Sequence, residues 1–152
     1  MTGGPRPGGW AGIGGWCDPR FAAVRDAFAA NFADRGETGA AACLVVGGTV
    51  VADLWGGRAG PGPAAPAWRR DTLVNVFSVG KGLIAACAAR LAGQGRPDPG
   101  APVAFGHFGA GGSVGFADPD AGVAFGYVTG QMGPRWRNPR NRALIDAVFA
   151  SL

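Results

Sequence analysis

Two runs of strand-forming residues meet at Gly47-Gly48, and they constrain the fold more than any other feature of the chain. Residues 42–46 read Ala-Cys-Leu-Val-Val, and residues 49–55 read Thr-Val-Val-Ala-Asp-Leu-Trp. Apolar and β-branched residues on both sides of a Gly-Gly pair are typical of a β-hairpin. Because a hairpin joins antiparallel strands, the sheet that contains it is expected to be antiparallel.

Amphipathic helices are predicted near both ends of the chain. Asp18-Pro19 and Asn138-Pro139 each provide an N-cap followed by proline at the first helical position. Apolar residues then recur on one face, as Phe21, Val24, Phe28 and Phe32 in the first segment and Leu144, Ile145, Val148 and Leu152 in the second. Arg35-Gly36 is expected to end the first helix. Since each helix has a single apolar stripe, both can lie on the same face of a sheet.

Residues 78–91 form a third candidate helix, which is apolar almost all round. Its larger apolar residues are Val79, Leu83, Ile84, Cys87 and Leu91, and four alanines lie between them at 85, 86, 88 and 89. Such a helix is expected to be buried on more than one side. It is therefore predicted to cover the sheet face opposite the two terminal helices.

Three short runs after this segment predict a strand meander. They cover residues 105–110, 113–118 and 123–128, and the turns between them fall at 111–112 and 119–122. No short strand–helix–strand alternation is present, so the predicted class is α+β with an antiparallel sheet of about five strands. Residues 1–16 are expected to be a flexible lead and residues 17–152 a single domain.

The positive charge consists almost entirely of arginine. The net charge is +4, and Lys81 is the only lysine. The basic run 135–142 could contact nucleic acid or anionic lipid, but no reading element or stacking platform accompanies it. A solvated loop leading into a helix is the preferred interpretation, and no nucleic-acid partner is predicted.

Cysteine spacing and hydropathy argue against a disulfide-rich, metal-binding, secreted or membrane protein. Cys17, Cys43 and Cys87 are an odd number without close spacing, so neither a disulfide framework, a metal site nor a cofactor is predicted. Cys43 and Cys87 lie in apolar runs and are expected to be reduced core residues. No stretch approaches the length of a membrane span, and residues 1–15 lack the apolar core of a signal peptide. The expected location is the cytoplasm, without membrane association.

Ser78 and Lys81 form a Ser-x-x-Lys pair at the start of the apolar helix. Positions i and i+3 share a helix face, so the amine can reach the hydroxyl. Helix N-terminal N–H groups favour developing negative charge, and a partly desolvated lysine can act as a base. The chain has three serines, and the chance that its one lysine falls three residues after one of them is roughly 2%. The alternative is an N-cap serine beside a lysine that extends to solvent.

His107, the only histidine, lies in a glycine-rich strand at residues 105–112. Glycines there would let a substrate or another backbone approach the strand closely. A single histidine in such a strand is, by itself, more often structural than catalytic. Its occurrence together with the Ser-x-x-Lys pair favours a role at the same site.

These two segments resemble one known family. Residues 72–82 resemble the nucleophile segment of class C β-lactamases and family VIII carboxylesterases, and residues 107–112 resemble the esterase counterpart of the lactamase Lys-Thr-Gly strand. The two elements occur in the family's order, and the resemblance extends over nearly the whole chain. It implies a five-stranded antiparallel sheet flanked by terminal helices.

The resemblance also implies a role for each residue of the site. Ser78 would be the acylated nucleophile, and Lys81 would help to deprotonate it. The backbone N–H groups of Ser78 and Ala110 would form the oxyanion hole, while His107 and Gly109 would line the substrate cleft.

The chain departs from the family in its middle. Members are more than twice as long and carry a helical domain with a Tyr-x-Asn loop, whose tyrosine shares the base function. Here about 25 residues separate Lys81 from His107, which places a deletion seam near 102–105. The only tyrosine, Tyr127, lies in a predicted strand and is expected to be packed rather than catalytic.

The expected function is weak serine-hydrolase activity on short-chain acyl esters. Esters are preferred to β-lactams because His107 stands where lactamases place a lysine that pairs with the lactam carboxylate, and a largely neutral imidazole does so less well. The alternative is an impaired remnant that folds or binds ligand without turnover. Self-association through an exposed Ser-x-x-Lys helix is also expected.

Overall fold

The computed structural model of the protein describes residues 12–78, 105–133 and 138–152. Its strands are β1 (Ile13–Cys17), β2 (Gly39–Val46), β3 (Thr49–Gly57), β4 (Phe105–Phe108), β5 (Val114–Asp118) and β6 (Val123–Thr129). Its α-helices are α1 (Ala22–Asp34), which follows a 3₁₀ turn at Pro19–Phe21, and α2 (Pro139–Ala150).

The strands form one antiparallel sheet in the order β1-β3-β2-β6-β5-β4. The predicted hairpin is confirmed, because β2 and β3 pair around Gly47-Gly48. Both glycines have positive φ, at 55° and 78°, which matches the right-handed twist of the flanking strands. The predicted meander is confirmed as β4, β5 and β6. The α+β class with an antiparallel sheet is therefore confirmed.

The sheet has six strands instead of five, because β1 pairs with β3 along one edge. The expectation of a flexible lead is thus wrong for residues 13–16. This segment contains Gly14 and Gly15, which have low intrinsic strand propensity. Gly15 adopts φ 106° and lies so close to the Asp53 carbonyl that a Cβ would clash with it. Pairing with β3, rather than local preference, therefore forms the strand.

Both predicted helix starts carry the expected side-chain caps, of which the first caps the 3₁₀ turn before α1, since Phe21 at the N-cap of α1 makes no such bond. The Asp18 carboxylate accepts a hydrogen bond from Arg20 N at 2.9 Å, and the Asn138 side chain accepts one from Arg140 N at 3.0 Å. Each cap satisfies one of the N–H groups that a helix start leaves unpaired. At the other end of α1, Gly36 has φ 66°, a conformation that glycine adopts without strain.

The two helices pack side by side on one face of the sheet, as predicted. The Asn31 side-chain amide donates a hydrogen bond to the Arg140 carbonyl at 3.3 Å, which joins α1 to the start of α2. Between helices and sheet lies the main apolar core, whose fully buried members include Phe28, Leu44, Leu54, Tyr127 and Leu144. Leu152, the last residue of the predicted stripe, is exposed. Apart from Ser78, the helix predicted for the opposite face lies outside the described residues.

Candidate active site

Ser78 ends the first described segment in an unusual backbone conformation. Its φ is 65°, and it is the only non-glycine residue with positive φ in the ranges that the structure describes. The left-handed region is sparsely populated by residues with a Cβ. Residues held there concentrate at active sites and ligand-binding segments. The backbone conformation therefore makes Ser78 a candidate active-site residue, independently of its place in the Ser-x-x-Lys motif.

The segment that carries Ser78 lies directly against the end of β4. The carbonyl oxygen of Phe77 packs on Gly109 so closely that a Cβ there would lie less than 3.0 Å from it. Only glycine permits this approach of two backbones. Because Ser78 follows Phe77 and Ala110 follows Gly109, the structure brings the predicted nucleophile segment and the predicted oxyanion segment together.

The residues after β4 form a tight, hydrogen-bonded turn. Gly109 N donates to the Ser113 carbonyl at 2.7 Å, and Gly112 N donates to the Gly109 carbonyl at 3.0 Å. Gly112 adopts φ 105°, which a residue with a Cβ would reach only with strain. The turn fixes Ala110, which is exposed, between two anchored glycines.

His107 lies on the sheet face that points away from α1 and α2. It pairs with Gly115, which pairs with Gly126, so these residues share one face of the sheet. Phe116, the next residue of β5, points to the other face, where it stacks on Phe149 of α2. The His107 ring is half-buried and stacks on the Phe108 ring with centroids 5.3 Å apart. His107 thus faces the side predicted for the Ser-x-x-Lys helix.

Lys81 lies outside the described residues, as do Cys87 and the remainder of the predicted apolar helix. Residues 102–104 of the predicted seam also lie outside them, and Phe105 begins β4. The described part of the site therefore consists of the segment that ends at Ser78 and of β4 with the turn that follows it.

A cleft of about 410 Å³ opens between the segment before Ser78 and the turn after β4. Its walls include large apolar side chains, namely Trp68, Leu73, Val74, Phe77 and Met132. Its polar members are Thr72, Asn75, Ser113, Thr129 and Gln131. Among the described residues, no charged side chain lines this cleft. Such a lining suits a neutral, partly apolar ligand.

Comparison with known proteins identifies the family. A family model described as Beta-lactamase matches residues 24–104, more than half of the chain. The chain belongs to the β-lactamase family. This confirms the resemblance inferred from the Ser78 segment.

One curated relative and two solved structures are similar to this chain over parts of its length. The Esterase/beta-lactamase LipL of Mycobacterium tuberculosis is 42% identical over 90 residues, which are 59% of this chain and 21% of LipL. The chain thus spans about a fifth of that relative's length. A crystal structure of a family VIII carboxylesterase superposes with a TM-score of 0.78 over 92% of this chain and 100% of the other, at 18% identity, which shows a shared fold. A penicillin-binding protein homolog from Caulobacter crescentus is 46% identical, covering 55% of this chain and 22% of its own, with a TM-score of 0.47.

Beneath the cleft, this β-lactamase-family chain buries a polar cluster that the sequence did not predict. The cluster centres on Glu37, whose Oε1 accepts hydrogen bonds from Thr38 N at 2.9 Å and Gly39 N at 3.1 Å. Its Oε2 accepts from Arg140 Nη1 at 3.0 Å, from Thr129 Oγ1 at 2.8 Å and from the Tyr127 hydroxyl. Thr129 also lines the cleft, so the cluster reaches the floor of the site.

Tyr127 is packed, as predicted. It is buried on the helix side of the sheet, edge-on to Phe28 with ring centroids 6.4 Å apart. Burial and the adjacent Glu37 carboxylate raise the pKa of the Tyr127 phenol well above its ordinary value. His107 lies on the opposite sheet face, so Tyr127 and His107 do not share a face of the sheet.

The expectation that the basic run 135–142 is solvated is wrong for Arg140. Its side chain is buried, whereas a solvated segment was predicted. The Glu37 carboxylate compensates its charge, which makes the burial tolerable. Arg142, two residues later, follows the prediction and is exposed. Residues 134–137 lie outside the described residues.

The described cysteines are free thiols. Cys17 and Cys43 are each half-buried, and burial raises the pKa of both. The expectation that Cys43 is a core residue is only partly met, because it lies on the sheet face away from the helices and pairs with Asp53.

In the part of the chain that the structure describes, no cluster of His, Cys, Asp and Glu could hold a metal. Neither described helix is long and apolar enough to cross a membrane.

Proposed function

We propose that this chain is a serine hydrolase of the β-lactamase-like esterase type, which forms an acyl-enzyme on Ser78. The observation that carries the proposal is the contact between the Phe77 carbonyl and Gly109, because it sets Ser78 beside the Gly109–Ala110 peptide. Ser78 Oγ attacks the ester carbonyl, and its proton passes to Lys81. The N–H groups of Ser78 and Ala110 stabilise the oxyanion. The C–O bond to the alcohol then breaks, the alcohol takes the proton, and water later hydrolyses the acyl group.

The preferred substrate is a small neutral ester. The uncharged, partly apolar lining of the cleft supports this choice, since an acyl chain can contact Trp68 and Val74 without desolvating a charge. A β-lactam carries a carboxylate, which would need a cationic partner. His107 stands where lactamases place a lysine, so esters rank above β-lactams.

An acylation-only protein is the second candidate, and the position of Tyr127 favours it. The family's base tyrosine has no counterpart here, because the only tyrosine is bonded to Glu37 on the other side of the sheet. Loss of one member of a cooperating catalytic set commonly costs several powers of ten in rate. Slow turnover, or a stable acyl adduct on Ser78, is the consequence.

The deciding experiment compares the wild type with Ser78→Ala and with Ser113→Ala, since Ser113 is a serine that lines the cleft and is not the proposed nucleophile. Each protein is incubated with p-nitrophenyl butyrate, a chromogenic cephalosporin and a fluorophosphonate, and its intact mass is measured. Hydrolysis and labelling that only Ser78→Ala abolishes support the proposed hydrolase. Labelling without turnover supports the second candidate. Equal rates and masses in wild type and Ser78→Ala would overturn both.

A further inference from the structure

The buried Glu37–Arg140 pair reaches the wall of the cleft through the Arg140 guanidinium. Both side chains are almost fully buried, with 0% and 4% of their surfaces exposed. Nη1 of Arg140 donates a hydrogen bond to Glu37, while Nε and Nη2 donate to two other groups. Nε donates to Asn138 Oδ1 at 3.5 Å, and Nη2 donates to the Gln131 carbonyl at 3.4 Å. The guanidinium therefore joins the buried pair to the loop after β6.

Two glycines let this polar cluster contact the loops that form the cleft. At Gly133 a Cβ would lie less than 3.0 Å from Arg140 Nη2, and at Gly112 one would lie equally close to the Asn138 amide. Gly133 N donates to the Gly111 carbonyl at 2.9 Å, which ties the loop after β6 to the turn after β4. That turn is itself closed by Gly109 N on Ser113. An uninterrupted set of contacts thus runs from Glu37 to Gly109.

We infer that Arg140 is a positioning residue for the acylation site. Held by Glu37, it supports loop 131–133 and turn 109–113, and so fixes the Ala110 N–H relative to Ser78. The inference rests on the proposed function, because it assigns Arg140 a part in acylation of Ser78 without contact to the substrate. Displacement of an oxyanion donor by about 1 Å is enough to slow such a reaction by about a hundredfold.

Arg140→Lys separates positioning from general stability. A lysine keeps a positive charge for Glu37, but its single nitrogen cannot also reach Gln131 and Asn138 as the planar guanidinium does. Arg142→Lys is the matched control, because Arg142 lies on the same helix in an exposed pair with Asp146. Amide hydrogen exchange and the rate of fluorophosphonate labelling of Ser78 are measured for both variants and the wild type.

We expect Arg140→Lys to accelerate exchange at the Gly109, Gly112 and Gly133 amides by about tenfold or more, while β6 stays protected. Labelling of Ser78 is expected to slow by about tenfold. The inference would be overturned if these three amides exchanged in Arg140→Lys at the wild-type rate. It would also be overturned if exchange accelerated uniformly throughout the sheet. If the wild type itself is not labelled, the proposed function fails, whereas the exchange measurement still decides whether Arg140 positions the loops.

A second variant is available if Arg140→Lys does not fold. Gly133→Ala would place a methyl group against Arg140 Nη2 and push the loop away, without altering Glu37 or Arg140. The same exchange pattern is expected in residues 109–113. Unchanged exchange in this variant would overturn the inference.

Discussion

Glu37 and Arg140, 103 residues apart in the sequence, form a buried ion pair between the start of β2 and the first turn of α2. Removal of two charges from water is costly, and it is offset here by a nearly complete set of hydrogen bonds to the carboxylate. The pair joins the first and last described segments of the chain. It therefore stabilises the arrangement of both helices on the sheet.

Glu37→Gln should destabilise the fold strongly. The substitution keeps the shape of the side chain but leaves the Arg140 charge buried without compensation, for which we expect a loss of about 3–5 kcal/mol in the free energy of unfolding. Urea denaturation measures this loss. Asp146→Asn is the control, because it breaks the exposed pair with Arg142 and should cost less than about 0.5 kcal/mol. Similar losses in the two variants would contradict the assigned role of the buried pair.

Tyr127→Phe should affect stability but not the chemistry at Ser78. The hydroxyl donates to Glu37, which retains Arg140 and Thr129 as donors, so the expected loss is about 1 kcal/mol. The rate of Ser78 labelling per folded molecule should stay at the wild-type value. Thermal unfolding and labelling kinetics are measured on the same samples. A large fall in labelling with native stability would instead assign Tyr127 a catalytic role.

Alkaline pH should destabilise the protein through the same tyrosine. Because burial raises the pKa of Tyr127 in the folded state, the unfolded state loses its phenolic proton first, above pH about 10. The stabilising contribution is thus fully present below that pH and is lost as pH rises. The raised pKa values of Cys17 and Cys43 act in the same direction. Melting temperatures from pH 8 to 11 should fall more steeply for the wild type than for Tyr127→Phe, and parallel curves would contradict the assignment.

The elements with local signals were predictable from the sequence. Gly47-Gly48 indicates a hairpin, and Asp18 and Asn138 cap helix starts, because turns and caps depend on adjacent residues. β1 was not predictable, since Gly14 and Gly15 oppose strand formation and only pairing with β3 overrides that preference. In the site, motifs indicated Ser78 and Gly109 separately, but their closeness is set by tertiary packing.

The burial of Arg140 had no local signal either. Its sequence context is a polar helix start, which usually lies in solvent. Glu37, which compensates the charge, lies 103 residues away and follows a glycine at the end of α1. No pattern within either segment links the two residues. Only the packing of α2 beside the start of β2 brings them together.

Self-association should depend on apolar residues at the cleft. Leu73 is 97% exposed, and Phe77 and Met132 are also exposed. Adjacent exposed apolar side chains favour association in water. We therefore propose that sedimentation velocity will show concentration-dependent oligomers, which Leu73→Ser reduces. Val50→Thr alters an exposed apolar residue in the hairpin and serves as the control. A stable monomer for the wild type at all concentrations would overturn the proposal.

Gly109→Ala should separate the serine segment from the strand that it contacts. A methyl group at this position would collide with the Phe77 carbonyl, so the backbones must move apart and Ser78 must shift relative to Ala110. We expect Ser78 labelling to slow by about a hundredfold, because the oxyanion donors would no longer converge. Gly115→Ala is the matched control on the neighbouring strand, where the nearest atom of the described residues to a new Cβ, the Phe125 carbonyl oxygen, is 3.9 Å away. Labelling rates are compared after thermal unfolding has established that both variants are folded. Equal labelling of the two variants would show that the close contact between Phe77 and Gly109 is not required for acylation, and the proposed function would then lose the observation that carries it.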